Sequence, residues 1–452
     1  MSVEGASPVI ASDVFTAEVA QGEEKLKSAS QPSWSYYSER RRWVFLGVLF
    51  LVTTSNYFDY FILSVLLDPI KQEFQVSDTM LGLLSGLGFA VVFAAAGLPV
   101  ALWADFGNRR TIITYAVIGW SAMTAACGLA HSFWQLALAR LGVGAFEPGA
   151  APPSQSLVVD YFPPEQRSMA IAILTMGASA VGYLSGVTVG GFTASAFGWR
   201  VAFFLAGGVG LLLAVICRIT LSEPRCKFGF PARDPKAAGL KEAVTYLRRK
   251  RSFVFVLLGQ SLCTIFATAA SLFIPSFMIR SLHASITQVS GMWGLAVTAA
   301  DFLGGLLGGW LGGLLGKRDV RWYAWLASLA SASVIPIYWM ALDATHLGNF
   351  IALDFVAELL YSVGLPAAFS ALHAVCGNRH RAMAVALLQL CFYLIGFGLG
   401  PSFAGALSDV FSAAYGQESL RYSLTCMLGV LVPTAAAFAW AARTMPRDKE
   451  DY

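Results

Sequence analysis

Phe133-Trp-Gln-Leu-Ala-Leu-Ala-Arg140-Leu-Gly-Val-Gly-Ala-Phe-Glu147-Pro148-Gly149-Ala-Ala-Pro152-Pro153-Ser-Gln155-Ser156 reads as a membrane-spanning helix carrying two opposite full charges, Arg140 and Glu147. An ionised group near a bilayer centre costs roughly 2.5–3.5 kcal/mol on insertion scales, so it persists only when paired, facing a cavity or protonated. The spacing of seven residues puts both charges on one helix face. Gly142, Gly144 and Gly149 leave room for a neighbouring backbone or a substrate to come close. Pro148, Pro152 and Pro153 interrupt the hydrogen-bond ladder at about mid-depth, and broken helices persist in membranes where they line a cavity. The stretch is therefore expected to line a substrate path.

The rest of the chain supports a membrane setting. Of 452 residues, 56% are hydrophobic and only 13% charged, and the mean hydropathy is +0.62. Such a chain is too apolar for a soluble domain and keeps its charges for loops. It is a polytopic membrane protein, and the net charge of +4 calls for no nucleic acid. The seven cysteines are scattered, with Cys127, Cys217, Cys263, Cys391 and Cys426 in or at the ends of apolar segments, and show no metal-ligand spacing. No cofactor or metal is expected. The N-terminus lacks a short apolar run ending in a small-residue cleavage site, so no cleaved signal is expected. Residues 1–42 form a polar tail, expected to be disordered over about the first 38.

With about 20 apolar residues per span, twelve spans are expected, at roughly 43–66, 79–103, 111–130, 133–156, 167–190, 200–222, 252–278, 288–315, 320–342, 347–375, 381–407 and 418–443. An even number puts both termini on one side. Under this topology, counting from Arg40 onward, 24 basic residues fall on the side of the termini, and four, Lys71, Arg200, Arg280 and Arg421, on the other. That asymmetry places both termini in the cytoplasm.

The longest polar interruption, Ser222 to Arg251, ends in Leu247-Arg-Arg-Lys-Arg251. It divides an N-terminal six-helix bundle, 43–222, from a C-terminal one, 252–443, through a basic cytoplasmic linker, 223–251; residues 444–452 form a cytoplasmic tail. The basic run reads as a solvated, orientation-setting segment touching anionic lipid, or as a regulatory partner site. The halves also resemble each other. A shift of 214 residues aligns Arg167-Ser-Met-Ala-Ile-Ala with Arg381-Ala-Met-Ala-Val-Ala, Pro152 with Pro366, Gly186 with Gly400, and Gly191 with Gly405. Two parallel repeats are the architecture in which substrate binds between halves near the midplane and rocking alternates its access.

Gly97-Leu-Pro-Val-Ala-Leu-Trp-Ala-Asp105-Phe-Gly107-Asn-Arg109-Arg110 resembles the loop signature of the major facilitator superfamily. Its aspartate sits at a helix end, where it can pair with basic residues and neighbouring helix termini and hold the inside face shut until rocking breaks the contacts. The matching place after span eight, Gly312-Gly-Leu-Leu-Gly-Lys317-Arg318, keeps the bases but lacks the acid. A narrower resemblance, to the bacterial spinster-like branch, rests on several motifs. These are Asn56-Tyr-Phe-Asp59, Leu66-Leu-Asp68-Pro69-Ile-Lys71, Leu81-Gly-Leu-Leu-Ser-Gly86, Arg140-Leu-Gly142-Val-Gly144-Ala-Phe-Glu147, Asp160-Tyr-Phe-Pro163-Pro164, Gly198-Trp199-Arg200, and Leu399-Gly-Pro401 with Leu407-Ser-Asp409. The resemblance covers roughly residues 40–440 and implies an all-α membrane protein of two six-helix pseudo-repeat bundles. It also implies secondary active, proton-linked transport with acids in the first and fourth helices; animal relatives handle lysolipids and sphingoid lipids. The chain departs from the family pattern in having Tyr60, not arginine, after the first-helix aspartate, and Phe146-Glu147-Pro148 in place of Gly-Glu-Ala.

Asp59 and Arg140 fall at similar depth, so Arg140 is expected to replace the missing arginine as partner of Asp59, leaving Glu147 deeper and less compensated. Glu147, with Asp59, is the candidate for proton coupling; the alternative is a permanently paired glutamate that braces helices. Asp354 and Glu358, spaced i,i+4 in span ten, are candidates for a cationic substrate group or a second proton. Asp301 falls mid-span beside Gly304-Gly305, Gly308-Gly309 and Gly312-Gly313, a ladder that reads as a helix-packing stripe. Asn56, Tyr57, Tyr60, Gln155, Tyr183, Gln389 and Tyr393 are polar groups in apolar helices, either substrate contacts or interhelical glue. Trp120, Trp293 and Trp310 are expected to face lipid or the interface. No Walker loop or nucleophile elbow appears, so neither ATP-driven pumping nor hydrolysis has residues to carry it.

The reading is a transporter, not an enzyme, of the bacterial inner membrane. Its partners are a small organic or amphipathic solute, the proton and membrane lipids, without nucleic acid, and it acts as a monomer by alternating access. The alternatives are an uncoupled facilitator, with Asp59, Arg140 and Glu147 as a static network, or a non-transporting membrane sensor acting through the basic central loop.

Overall fold

The computed structural model describes residues 33–225 and 240–448. The first 32 residues, the middle of the central linker and the last four residues lie outside them, as do the side chains of Asp105 and of residues 377–382. The expectations for the N-terminal tail, for most of the linker and for the Asp105 carboxylate therefore fall outside the described residues.

Among the described residues, twelve spans form an all-α fold. In the first half they are Glu39–Phe74, then Asp78–Ser85 continued by Leu87–Phe106, then Arg109–Gly128, Phe133–Phe146 continued by Ala151–Tyr161, Pro164–Ala172 continued by Ala178–Phe197, and Trp199–Thr220. In the second half span seven is Arg251–Ser281, span eight Ile286–Gln288 continued by Gly294–Gly316, and span nine Arg321–Asp343. A helical run, Leu347–Cys391, follows, then Gly398–Tyr415, and Ser419–Met427 continued by Leu431–Asp448. Phe350, near the start of the long run, packs on Phe277 at the end of span seven. Asp409, beyond its end, holds the backbone of Asp78, whose carboxylate holds Arg280. Both ends thus return to one face, and Leu347–Cys391 contains span ten and the first part of span eleven. We call the face bearing Glu39 and Asp448 the terminal face and the opposite one the far face.

Several spans are longer than the apolar core alone requires, because polar residues extend them beyond the hydrocarbon. Span one is 36 residues, about 54 Å at 1.5 Å per residue. Ser77, Asn108 and Ser132 cap spans two, three and four through side-chain oxygens that accept backbone N–H groups, satisfying donors that helix starts leave unpaired. π-turns occupy Ile173–Gly177 in span five, Val289–Trp293 in span eight and Phe392–Phe397 in span eleven. Such turns recur at functional sites, and here they lie in spans that meet across the two halves.

The 214-residue repeat is visible in the packing. A Cβ on Gly186 would meet the backbone of Phe58 and Ile62 in span one; a Cβ on Gly400 would meet the carbonyl of Ile265 and the hydroxyl of Thr268 in span seven. Each glycine therefore lets its helix lie against the first helix of its own half. Gly191 and Gly405 do the same between halves, against Ser290 of span eight and against the Asp78 carbonyl of span two. In span eight only one side of the glycine ladder is used for packing. Gly304 and Gly308 press on the backbone of Leu359 and Val363, whereas Gly305, Gly309 and Gly313 face open space.

Ser252 donates from its backbone and its hydroxyl to Asp448, tying the start of span seven to the end of the chain. Just before it, Leu240–Arg249 is a helix that buries Leu247 among Phe253, Val256 and Ala324 and leaves Arg248 and Arg249 exposed. Trp310 is exposed as expected, but Trp120 and Trp293 are 0% and 1% exposed. Their placement toward lipid is corrected: Trp120 packs in the core of the first half, and Trp293 has a buried carboxylate for its N–H.

Candidate transport site

Span four breaks where its prolines lie. Its first helix ends at Phe146, one 3-10 turn covers Glu147–Gly149, and the helix resumes at Ala151. Gly142, Gly144 and Gly149 face Met123, the ring of Phe89 and Ala116, so their space is filled by spans two and three. Arg140 is 1% exposed and Glu147 is 6% exposed. Arg140 does not form an ion pair with the Asp59 carboxylate. Its Nη1 donates to the backbone carbonyl of Asp59 at 3.2 Å, and its guanidinium lies 5.6 Å from the centre of the Phe89 ring. Both carboxylate oxygens of Asp59, one oxygen of Glu147, the amide nitrogen of Asn56 and the hydroxyl of Tyr60 are buried without a hydrogen bond of normal geometry, Thr124 and Asn56 being the nearest side-chain donors to Asp59 and Glu147. A buried acid without a fixed hydrogen-bond partner is costly in hydrocarbon and fits a group that binds something passing.

Aromatic side chains of the two halves meet beside this cluster. Tyr60 packs edge-on against Phe397 at 4.7 Å, Phe93 stacks on Tyr393 at 4.3 Å, and Tyr183 lies 6.4 Å from Trp293. Each pair joins one half to the other. Tyr57 stacks on Phe61, which meets Tyr183. Tyr57, Tyr60 and Tyr393 thus join Asn56, Asp59, Arg140 and Glu147 around one central region. Gln155 and Gln389 are exposed and stand apart from it, on the stretches of spans four and eleven toward the terminal face.

The second half holds its own acids. Asp354 is 1% exposed and accepts from the indole Nε1 of Trp293 at 2.7 Å, with its other oxygen unpartnered. Asp301 accepts from the hydroxyl of Ser362 at 2.5 Å. Glu358 lies within electrostatic reach of both. The structure therefore brings Asp301, Asp354 and Glu358 together, next to Tyr183 of the first half.

At the terminal face the loop signature is a buried ion cluster. Arg109 is fully buried and holds Glu223 at 2.5 Å and Asp160 at 2.6 Å, while Nη1 donates to Ser156. Its neighbour Arg110 reaches the Leu221 carbonyl. Gly107 ends span two with its N–H on the Trp103 carbonyl, and Gly97 lies against Pro148. These contacts join spans of the first half to each other and to Glu223 at the start of the linker.

The far face carries a lock that reading the sequence did not assemble. Arg280 of span seven holds Asp68 of span one at 2.6 Å and Asp78 of span two at 2.8 Å. Lys71 also holds Asp78, at 2.7 Å. Ser408 donates to the Asp78 carboxylate, and Asp409 accepts the N–H groups of Asp78 and Thr79 at the start of span two. An anion at a helix N-terminus complements the helix dipole. Beside it, Gly82 packs against the Pro401 backbone so closely that a Cβ would lie 2.3 Å from the carbonyl oxygen. Asp68, Lys71, Gly82, Pro401 and Asp409 all sat in the quoted motifs, but nothing in those motifs names Arg280 as their partner.

The comparisons accord with this geometry. Residues 49–273 match the family model described as Major Facilitator Superfamily. An MFS-type efflux pump of Mycolicibacterium smegmatis is 32% identical over 90% of this chain and 94% of its own length. The sphingosine-1-phosphate transporter SPNS2 of Xenopus tropicalis is 26% identical over 87% of this chain and 79% of its own. Among solved structures, a bacterial homolog to the human lysosomal transporter Spinster, inward-facing and unoccupied, is 30% identical with a TM-score of 0.83, covering 92% of this chain and all of that one. Twelve spans in two repeats, halves meeting along spans one, two, five, seven, eight and eleven, and these similarities show that the chain is a multi-pass membrane protein belonging to the major facilitator superfamily of transporters, in its spinster-like branch.

Proposed function

We propose that the protein moves a small organic or amphipathic solute across a bacterial inner membrane by alternating access, coupled to protons. Both termini are cytoplasmic, the unit is a monomer in contact with membrane lipids, and the halves 43–222 and 252–443 rock about the central region. The observation that carries the reading is that neither of the buried Asp59 and Glu147 carboxylates forms an ion pair, beside an Arg140 whose hydrogen bond goes to a backbone carbonyl. A static brace would have paired these charges, because an unpaired buried charge costs several kcal/mol. Glu147 stands at the helix break, buried with Pro148 and Gly149, and is assigned as the coupling acid with Asp59 as its partner. Asn56, Tyr57, Tyr60 and Tyr393 supply substrate contacts, Gln155 and Gln389 flank the route to the terminal face, and Asp301, Asp354 and Glu358 form a second polar locus. The paired bases Arg109 and Arg110, with Gly97, Asp105 and Gly107, serve the gate on the cytoplasmic side. Export is the direction we assign, from the mycobacterial relative named as an efflux pump.

The test is internal pH in proteoliposomes, with and without pooled organic anions, cations and lysolipids, for native protein and Glu147→Gln. Substrate-dependent proton movement in the native protein and its loss in the variant are expected. Unchanged pH-dependent transport in Glu147→Gln would remove the assignment, and solute flux without proton movement would make the protein an uncoupled facilitator.

A further inference from the structure

The start of span nine carries a groove that neither the ion clusters nor the central region uses. It lies at the terminal face, holds about 330 Å³, and is lined by Asp319, Arg321, Trp322, Trp325 and Leu329. Span nine, Arg321–Asp343, buries Ala324, Ala327 and Val334 against the rest of the second half. Trp322 and Leu329 are exposed and Trp325 is half-buried, so the groove opens on the outer side of the bundle, where a membrane helix meets lipid. At 1.5 Å per residue, Leu329 lies about 12 Å deeper than Arg321. The groove therefore begins among charges, passes two indole rings and ends in hydrocarbon.

Its mouth is basic. Lys317, Arg318 and Arg321 stand against one acid, Asp319. Lys317 and Arg318 are exposed and, among the described residues, form no ion pair. One oxygen of Asp319 accepts from Nε of Arg321 and pairs with its Nη2, and the other accepts its backbone N–H. That grip fixes the guanidinium and uses one edge of it, while Nη1 has no hydrogen-bond partner among the described residues. A planar fork of five donors can hold a carboxylate on one edge and a phosphate oxygen on another. The N-terminus of a 23-residue helix adds positive potential at the same place.

Cations, then indoles, then an aliphatic side chain follow the order of a phospholipid: phosphate, glycerol esters, acyl chain. Tryptophan settles at the level of the headgroups because its ring is apolar with one polar edge, and basic clusters beside a membrane helix attract anionic lipid. A soluble anion would engage the bases alone and leave both indoles and Leu329 uncovered. A soluble protein would have to enter the bilayer to fill the deep end.

We infer that this groove is a binding site for one anionic phospholipid, its phosphate held by Lys317, Arg318 and Arg321 and an acyl chain laid along Trp322, Trp325 and Leu329. Such binding is independent of transport and is measured without flux.

The experiment is native mass spectrometry of the purified full-length protein in detergent, titrated with dioleoylphosphatidylglycerol or with the zwitterionic dioleoylphosphatidylcholine. The first phosphatidylglycerol is expected to bind about tenfold or more tighter than phosphatidylcholine. That preference should fall about fivefold or more when Lys317→Gln and Arg318→Gln are combined. It should persist when Arg248→Gln and Arg249→Gln are combined, which removes two exposed charges of the same face outside the groove. Equal affinity for the two lipids, an undiminished preference in the groove variant, or an equal loss in both double variants would overturn the inference. Glycerol 3-phosphate, the phosphate without its chains, is expected not to displace the lipid; displacement would make this a soluble-anion site and overturn the lipid assignment. Phosphatidylglycerol carrying a diazirine on one acyl chain locates the site in the native protein and needs no variant. Crosslinks within residues 321–329 are expected, and crosslinks confined to other segments would overturn the inference even if the variants failed to fold.

Discussion

Arg280 Nη1 lies 2.8 Å from an oxygen of Asp78, while the same guanidinium reaches Asp68 at 2.6 Å, so one side chain of the second half holds two helices of the first. Among the described residues, the ion pairs that cross between halves all belong to this group on the far face. Those of the terminal face join no residue of one half to the other, Arg109 pairing with Asp160 of the first half and Glu223 of the linker.

Removing Arg280 leaves two carboxylates facing each other, with Lys71 as the remaining cation. Losing one partner of a buried pair costs about 3–5 kcal/mol, enough to change a two-state population by about a hundredfold or more. Arg280→Ala is therefore expected to open the far face. Spin-label distances between the far ends of spans one and seven should lengthen, and unchanged distances would mean that packing alone holds the face shut.

Gly191 and Gly405 occupy equivalent positions but should respond differently to alanine. A Cβ on Gly405 would lie 2.2 Å from the backbone oxygen of Asp78, which cannot yield without moving span two. A Cβ on Gly191 would lie 1.7 Å from the hydroxyl of Ser290, which has no hydrogen-bond partner and can rotate away, and 2.8 Å from the Ser290 Cβ, an overlap that a shift of a few tenths of an ångström relieves. Gly405→Ala is expected to lower transport strongly and separate the far ends of spans two and eleven, whereas Gly191→Ala keeps most of its activity. Solute flux in proteoliposomes distinguishes them, and equal losses would contradict the argument.

Arg109→Ala should destabilise the first half by about 3–5 kcal/mol, because Glu223 is left buried without its cation. Arg109→Lys is expected to recover only part of this loss, since one ammonium cannot reproduce the separate donors that reach Glu223, Asp160 and Ser156. Thermal melting of the detergent-solubilised protein reads the order native, lysine, alanine.

Trp293→Phe keeps the ring but removes the N–H that Asp354 accepts. Leaving that oxygen buried and unpaired is expected to cost about 1–3 kcal/mol. Combining Trp293→Phe with Asp354→Leu, which removes both partners, should recover most of the melting temperature. A double variant as unstable as the sum of the single ones would show that the two residues act independently.

The sequence by itself determined the helical membrane fold and the place where span four breaks. A bilayer core demands about 20 apolar residues per helix, and Pro148, Pro152 and Pro153 cannot continue a hydrogen-bond ladder, so local chemistry suffices for both. It also marked Arg140, Glu147, Asp59 and the acids of the second half, since an ionisable residue in an apolar run is conspicuous. What only the tertiary structure decided is which groups meet. Arg280 lies about 200 residues from Asp68 and Asp78, and no periodicity links them. Arg140 and Asp59 were matched correctly in depth, but the guanidinium turned to the carbonyl, a choice made by side-chain direction. Trp293 resembled a lipid-facing aromatic until the packing of spans eight and ten placed its N–H against Asp354. Depth along a helix follows from one-dimensional spacing, whereas pairing depends on helix rotation and crossing, which close contacts such as Gly405 against Asp78 set in three dimensions.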